Sequence, residues 1–185
     1  ILNLTTVLIL LPFTNLLAAL IVRVIGEGPQ REGPEALAPE LNPVLLEMPP
    51  LALDAARREL VHLGERVGDL LDAAVPAILD GQDAAIDALH ARERLVDRHH
   101  AAIVGFVEKM LQPELAPDIC REAVELVEAA DYLESLGALV DNEMIPLHRR
   151  HVERGTEIDP QARERLRALA EAVRQELRRA LRAVA

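Results

Sequence analysis

Two short runs concentrate the side chains able to do chemistry. In ARERLVDRHH, residues 91–100, Glu93 falls on the apolar seam of a helical pattern, where a carboxyl group needs a partner. His100 shares that seam and can serve as one. Further on, HRRH places His148 and His151 three residues apart on one helical face, a spacing found in zinc sites. No cysteine or further histidine lies close in sequence, and Arg149 and Arg150 repel a cation. The run therefore reads as the solvated basic end of a helix, which suits the helix dipole. Ser135 is the single serine and has no activating base beside it in sequence, so serine-based hydrolysis is not expected. Cys120 is the single cysteine; no intrachain disulfide is possible, and it reads as a small buried residue. There is no Gly-rich phosphate loop. The chain is not expected to be an enzyme.

The elements that must position these residues are helices. Half of the 185 residues are hydrophobic, yet Phe13, Phe106 and Tyr132 are the only aromatics. A composition of Ala, Leu, Arg and Glu favours long helices over sheets. One seam runs Leu53, Ala56, Leu60, Leu63, Val67, Leu70, Ala74, Ile78 in alternating steps of three and four. Pro76 is expected to kink its last turn, and Asp80-Gly81 to end it. A second seam runs Ile86, Leu89, Glu93, Val96, His100, Ile103, Val107, Met110, closed by Gln112-Pro113. A third runs from Ile119 through Ala123, Leu126, Ala130, Leu133, Gly137, Val140 and Met144 to Leu147, with Pro146 bending or ending it. A fourth helix starts near Asp159-Pro160, Asp as cap and Pro at the first position, and carries Leu166, Leu169, Val173 and Leu177. Long helices joined by short turns predict an antiparallel up-down bundle.

Charge is unevenly spread within a net −11. Residues 114–159 hold twelve Asp/Glu against four Lys/Arg, and residues 160–185 hold three acids against seven arginines. The two stretches are expected to attract each other as helices. An acidic chain whose basic tail lacks interleaved aromatics is not a nucleic-acid binder.

Residues 1–25 are apolar apart from scattered uncharged polar groups and Arg23, long enough for a helix to cross a bilayer core. They lack the basic start and cleavage site of a signal peptide. The fold expected is therefore all-α, one transmembrane helix followed by the bundle, with the lipid bilayer as a partner. Residues 26–50 hold three glycines and six prolines and read as a semi-rigid, mostly extended linker. Arg23 and Arg31 lean towards an inner-membrane protein with a cytoplasmic bundle. The chain begins without methionine and its last helix has no capping signal, so both ends are expected to be cuts in a longer protein.

The order of segments carries a resemblance. NLTTVLILLPF, then LNPVLLEMPPLALDAARREL, then ARERLVDRHHAAI and AADYLESLGALVDN resemble the C-terminal part of bacterial sodium/phosphate cotransporter family proteins, over nearly the whole chain. That resemblance implies a last transmembrane helix (1–25), a linker (26–50), a PhoU-like regulatory bundle (51–155) and the start of a truncated second repeat (156–185). It implies phosphate transport with sodium as coupling ion, both handled by a missing transporter half, and a cytoplasmic protein partner or homodimer for the bundle. The alternative is a membrane-anchored helical interaction module without transport activity. PhoU-like proteins also carry acidic motifs that bind metal. Their equivalents here are Glu93 and Asp97, four residues apart on one face, and Glu134. The stretch at Glu134 reads ESLGA, without the family's arginine and with Ala138 in place of its closing aspartate; Asp131 and Asp141 lie nearby. A degenerate site with weak divalent binding is expected, with His100 or an arginine balancing Glu93 and no cofactor held.

Overall fold

The computed structural model describes residue 38 and residues 40–80, 83–111, 115–155 and 158–184. The membrane helix expected over residues 1–25 lies outside these, as does most of the linker. Among the described residues no helix is long and apolar enough to cross a membrane.

Every described element is helical: a 3-10 turn at Pro43–Glu47, α1 at Pro49–Asp80, α2 at Asp83–Met110, α3 at Pro117–Leu139, a π turn at Val140–Met144, α4 at Ile145–Glu153 and α5 at Pro160–Val184. Proline opens α1, α3 and α5, where its missing N–H has no helical carbonyl to meet. Asp159 caps α5 as expected, accepting the Ala162 N–H at 3.2 Å. Asn42 does the same for the 3-10 turn, accepting the Val44 N–H at 3.0 Å. Residues 40–48, expected to be extended linker, are thus a folded segment, and Leu41, Leu45 and Leu46 pack on the core.

Partner residues give the helix directions. Glu59 meets His99, while Asp69, further along α1, meets Arg92, earlier in α2; α1 and α2 are antiparallel. His90 meets Asp141 and His100 meets Asp131, so α3 runs back along α2. α1 and α3 run parallel, with Arg57 against Glu122 and Leu70 beside Gly137. This is the up-down bundle the periodicity predicts.

The first seam holds: Leu53, Ala56, Leu60, Leu63, Val67, Leu70 and Ala74 are buried, and Ile78 packs partly on the core. The second holds at Ile86, Leu89, Val96, Ile103, Val107 and Met110. At its polar positions the structure differs. Glu93 and His100 are only half-buried, and His99 takes the interior place. The third seam holds as far as Val140 and then moves by one residue. Pro146 cannot donate to the carbonyl four residues back, and its ring crowds that carbonyl. The chain widens into a π turn, closed by Ile145 N–H to Val140 C=O. One inserted residue rotates the following face by about 100°. Ile145 and His148 are buried in place of Met144 and Leu147, and Leu147 is 62% exposed.

α5 lies antiparallel along α1: Leu181 reaches Gly64, Leu177 reaches Gly68 and Arg174 pairs with Asp72. The expected attraction between residues 114–159 and 160–185 is therefore met mainly by α1, whose glycines let α5 approach closely. Leu177 is buried, but Leu166 and Leu169, expected on the same buried stripe, are exposed.

Candidate functional site

The strip where α2 faces α3 gathers most of the titratable side chains that the sequence singles out. His90, Glu93, Asp97 and His100 recur along one face of α2, and Asp131, Glu134 and Asp141 along the opposing face. Antiparallel packing pairs them end to end. At one end His90 Nδ1–H donates to Asp141, and Arg149 Nη2 donates to His90 Nε2 at 3.4 Å. At the other, His100 Nε2 lies 2.7 Å from Asp131 Oδ1. Between them sit Glu93, Asp97 and Glu134. Partial burial is the first cause that raises the Glu93 pKa, to about 7, and the charges of Asp97, Asp141 and Glu134 add to it. The expected partner for Glu93 is not His100, which the structure gives to Asp131; the charges that act on Glu93, those of Asp97, Asp141 and Glu134, are all negative.

Calcium takes six or more oxygens, and magnesium demands near-ideal octahedral geometry. No three His, Cys, Asp or Glu among the described residues come together as a ligand set. Asp131 and Asp141, the neighbours of the missing aspartate, are engaged by His100 and His90. Ala138 offers a methyl group. What the strip does is hold a proton on Glu93 to about pH 7.

Two polar sites escaped the reading of the residues. Glu59 and His99 are both fully buried, with His99 Nε2–H donating to Glu59 Oε2 at 2.8 Å. Burial lowers the His99 pKa and outweighs the attraction of Glu59, which acts the other way; Arg66 and His62 lower it further. The available signal is in α1 itself, where Ala52, Ala55 and Glu59 border the apolar seam and the small residues admit a close neighbour. The second site is His148. The HRRH run is not wholly solvated, because His148 is buried and its Nδ1–H donates to the Ile78 carbonyl at 2.8 Å. That carbonyl belongs to the last turn of α1, where no helical donor remains. Cys120 is half-buried at the start of α3.

The fold and strip together define an all-α bundle with an acidic strip between α2 and α3, closed at each end by a His–Asp pair. The chain is similar, at 26% identity over 161 residues, to a Salmonella typhimurium (strain LT2) protein named "Putative inorganic phosphate export protein YjbB". The match covers 83% of this chain and 29% of that protein, so the chain spans less than a third of its relative's length. No protein-family profile matches the chain, and no solved structure matches it.

Proposed function

We propose that the chain is the C-terminal part of a sodium-dependent phosphate transporter, with residues 51–155 as a PhoU-like regulatory bundle on the cytoplasmic side. The observation that carries this reading is the similarity to a protein named for phosphate export across 83% of the chain. An all-α bundle behind a long apolar segment and a Pro/Gly-rich linker fits the same reading. Phosphate and sodium are then handled outside the bundle. The bundle contributes regulation, through a cytoplasmic protein or a second copy of itself, and residues 1–25 contribute the contact with lipid.

The test is flux of radiolabelled phosphate in cells expressing the intact gene. Flux is measured with and without a sodium gradient, and again with the codons for residues 51–155 deleted. Sodium-dependent flux whose level or response to external phosphate changes on deletion is expected. Flux indifferent to sodium removes the cotransport reading. No phosphate flux at all leaves the membrane-anchored interaction module as the better account.

A further inference from the structure

Glu59 lies at the edge of the Leu53–Ala74 seam of α1, beside Leu63. Its neighbours there, Ala52 and Ala55, are fully buried. Ala38 and residues 40–48 belong to the stretch of chain entering the bundle, and Glu40 in it meets Glu59. Ala38 is buried, and the 3-10 turn Pro43–Glu47 packs on both α1 and α2. The two oxygens of Glu59 serve two different elements. Oε1 accepts the backbone N–H of Glu40 at 2.8 Å, and Oε2 accepts Nε2–H of His99 on α2 at 2.8 Å. His62 Nδ1 stands 3.4 Å from the same Oε2, at the half-exposed edge. From outside, Arg58 Nε donates to the Glu40 carboxylate at 3.1 Å.

Apolar packing does not account for a carboxyl group at this depth. A leucine would fill similar space without the cost of desolvating a polar group. What the carboxyl group adds is two acceptors directed at two elements, and it is satisfied only when both donors are in place. We propose that Glu59 is a latch that registers the entry segment 40–48 on the bundle and makes its docking conditional on α2. In the latched state both hydrogen bonds stand. In the released state α2 has moved by enough to part His99 from Oε2, the carboxyl group turns towards water, and the segment leaves with Glu40. Hydrogen bonds weaken steeply with distance and angle, so a shift of about 1 Å in α2 is sufficient. The latch joins the segment leading out of the bundle to the helix that carries Glu93 and Asp97, and it stands whether or not the transport reading holds.

Amide hydrogen exchange on the 185-residue chain tests this. His99→Leu is the informative variant, because it lies on α2 and removes no atom of the entry segment. Exchange at the Glu40, Leu41 and Leu45 amides is expected to rise at least tenfold, while Leu63–Leu70 and Ile103–Val107 stay within twofold of the parent. His99→Gln, which keeps a donor near Nε2, is expected to restore protection. Glu59→Leu leaves two buried donors unpaired and can unfold the chain. Glu59→Leu combined with His99→Leu replaces both partners by apolar groups, which keeps the core whole while still freeing the Glu40 N–H. Entry-segment exchange unchanged in both His99→Leu and the double variant overturns the latch, since apolar packing then suffices. Entry segment and core accelerating together in both overturns it as well, since Glu59 is then an ordinary member of the core.

Discussion

Glu93 keeps a proton to about pH 7 because burial and the charges of Asp97, Asp141 and Glu134 all oppose its ionisation. Its folded pKa lies above the unfolded value of 4.5, so the folded state binds more protons between the two. The stability this group contributes is complete below about pH 4.5 and is lost as pH rises through 7. His99 has the opposite sign. Its folded pKa lies below 6.5, so its contribution is complete above that value and lost as pH falls. Melting temperatures between pH 4.5 and 8 separate the two. Relative to the parent, Glu93→Gln is expected to flatten the decline towards alkaline pH, and His99→Gln the decline towards acid. Parallel curves for parent and variants would contradict these assignments. The acidic seam also bears on metal. With Asp131 and Asp141 held by histidines and Ala138 in the remaining place, calorimetric titration with magnesium, manganese, zinc or iron is expected to show weak binding that Glu93→Gln leaves unchanged. Tight, near-stoichiometric binding abolished by that substitution would show that the carboxyl groups rearrange into a working cluster.

At the scale of the element, the π turn before Pro146 decides which residues of α4 enter the core. A continuous heptad buries Met144 and Leu147; the structure buries Ile145 and His148 instead. The difference is measurable. Ile145→Ala is expected to destabilise the chain by about 2–5 kcal/mol, as deletion of buried methyl groups does. Leu147→Ala is expected to fall within about 0.5 kcal/mol of the parent, as an exposed position does. Chemical denaturation of both variants checks this, and the reverse order would restore the unbroken heptad. α5 shows a second departure from simple periodicity. Its apolar stripe is continuous in sequence, but only its C-terminal half meets the glycine face of α1, so Leu166 and Leu169 remain outside.

At the scale of the whole molecule, α1, α2 and α3 each pack on the other two, while α5 is held chiefly by α1. A chain ending at Gly155 is expected to keep its helical circular dichroism and to melt roughly 5–10 °C lower, the equivalent of losing one or two buried leucines and an ion pair. Loss of the helical signal would instead make α5 an obligatory part of the bundle.

The core of α1 and the start of α5 were legible in the residues, because apolar spacing and proline position act locally and need no knowledge of neighbours. Glu93 was legible as a seam residue by its spacing, whereas its grouping with Asp97 and Glu134 came from the family resemblance. What local rules do not contain is which face meets which. The pairing of His90 with Asp141 and of His100 with Asp131 comes from the antiparallel register of α2 and α3, fixed by the whole core. His99 and His100 flank the Val96–Ile103 line on opposite sides, so which of the two is buried depends on the elements packed against each side, and spacing along α2 does not decide it. Glu59 reads as a surface residue until a segment nineteen residues earlier folds over it. The sequence by itself determined the helices and their apolar stripes. The tertiary structure alone decided the polar pairs, because a hydrogen bond between elements depends on their mutual register, a property of the packed bundle that no single helix carries.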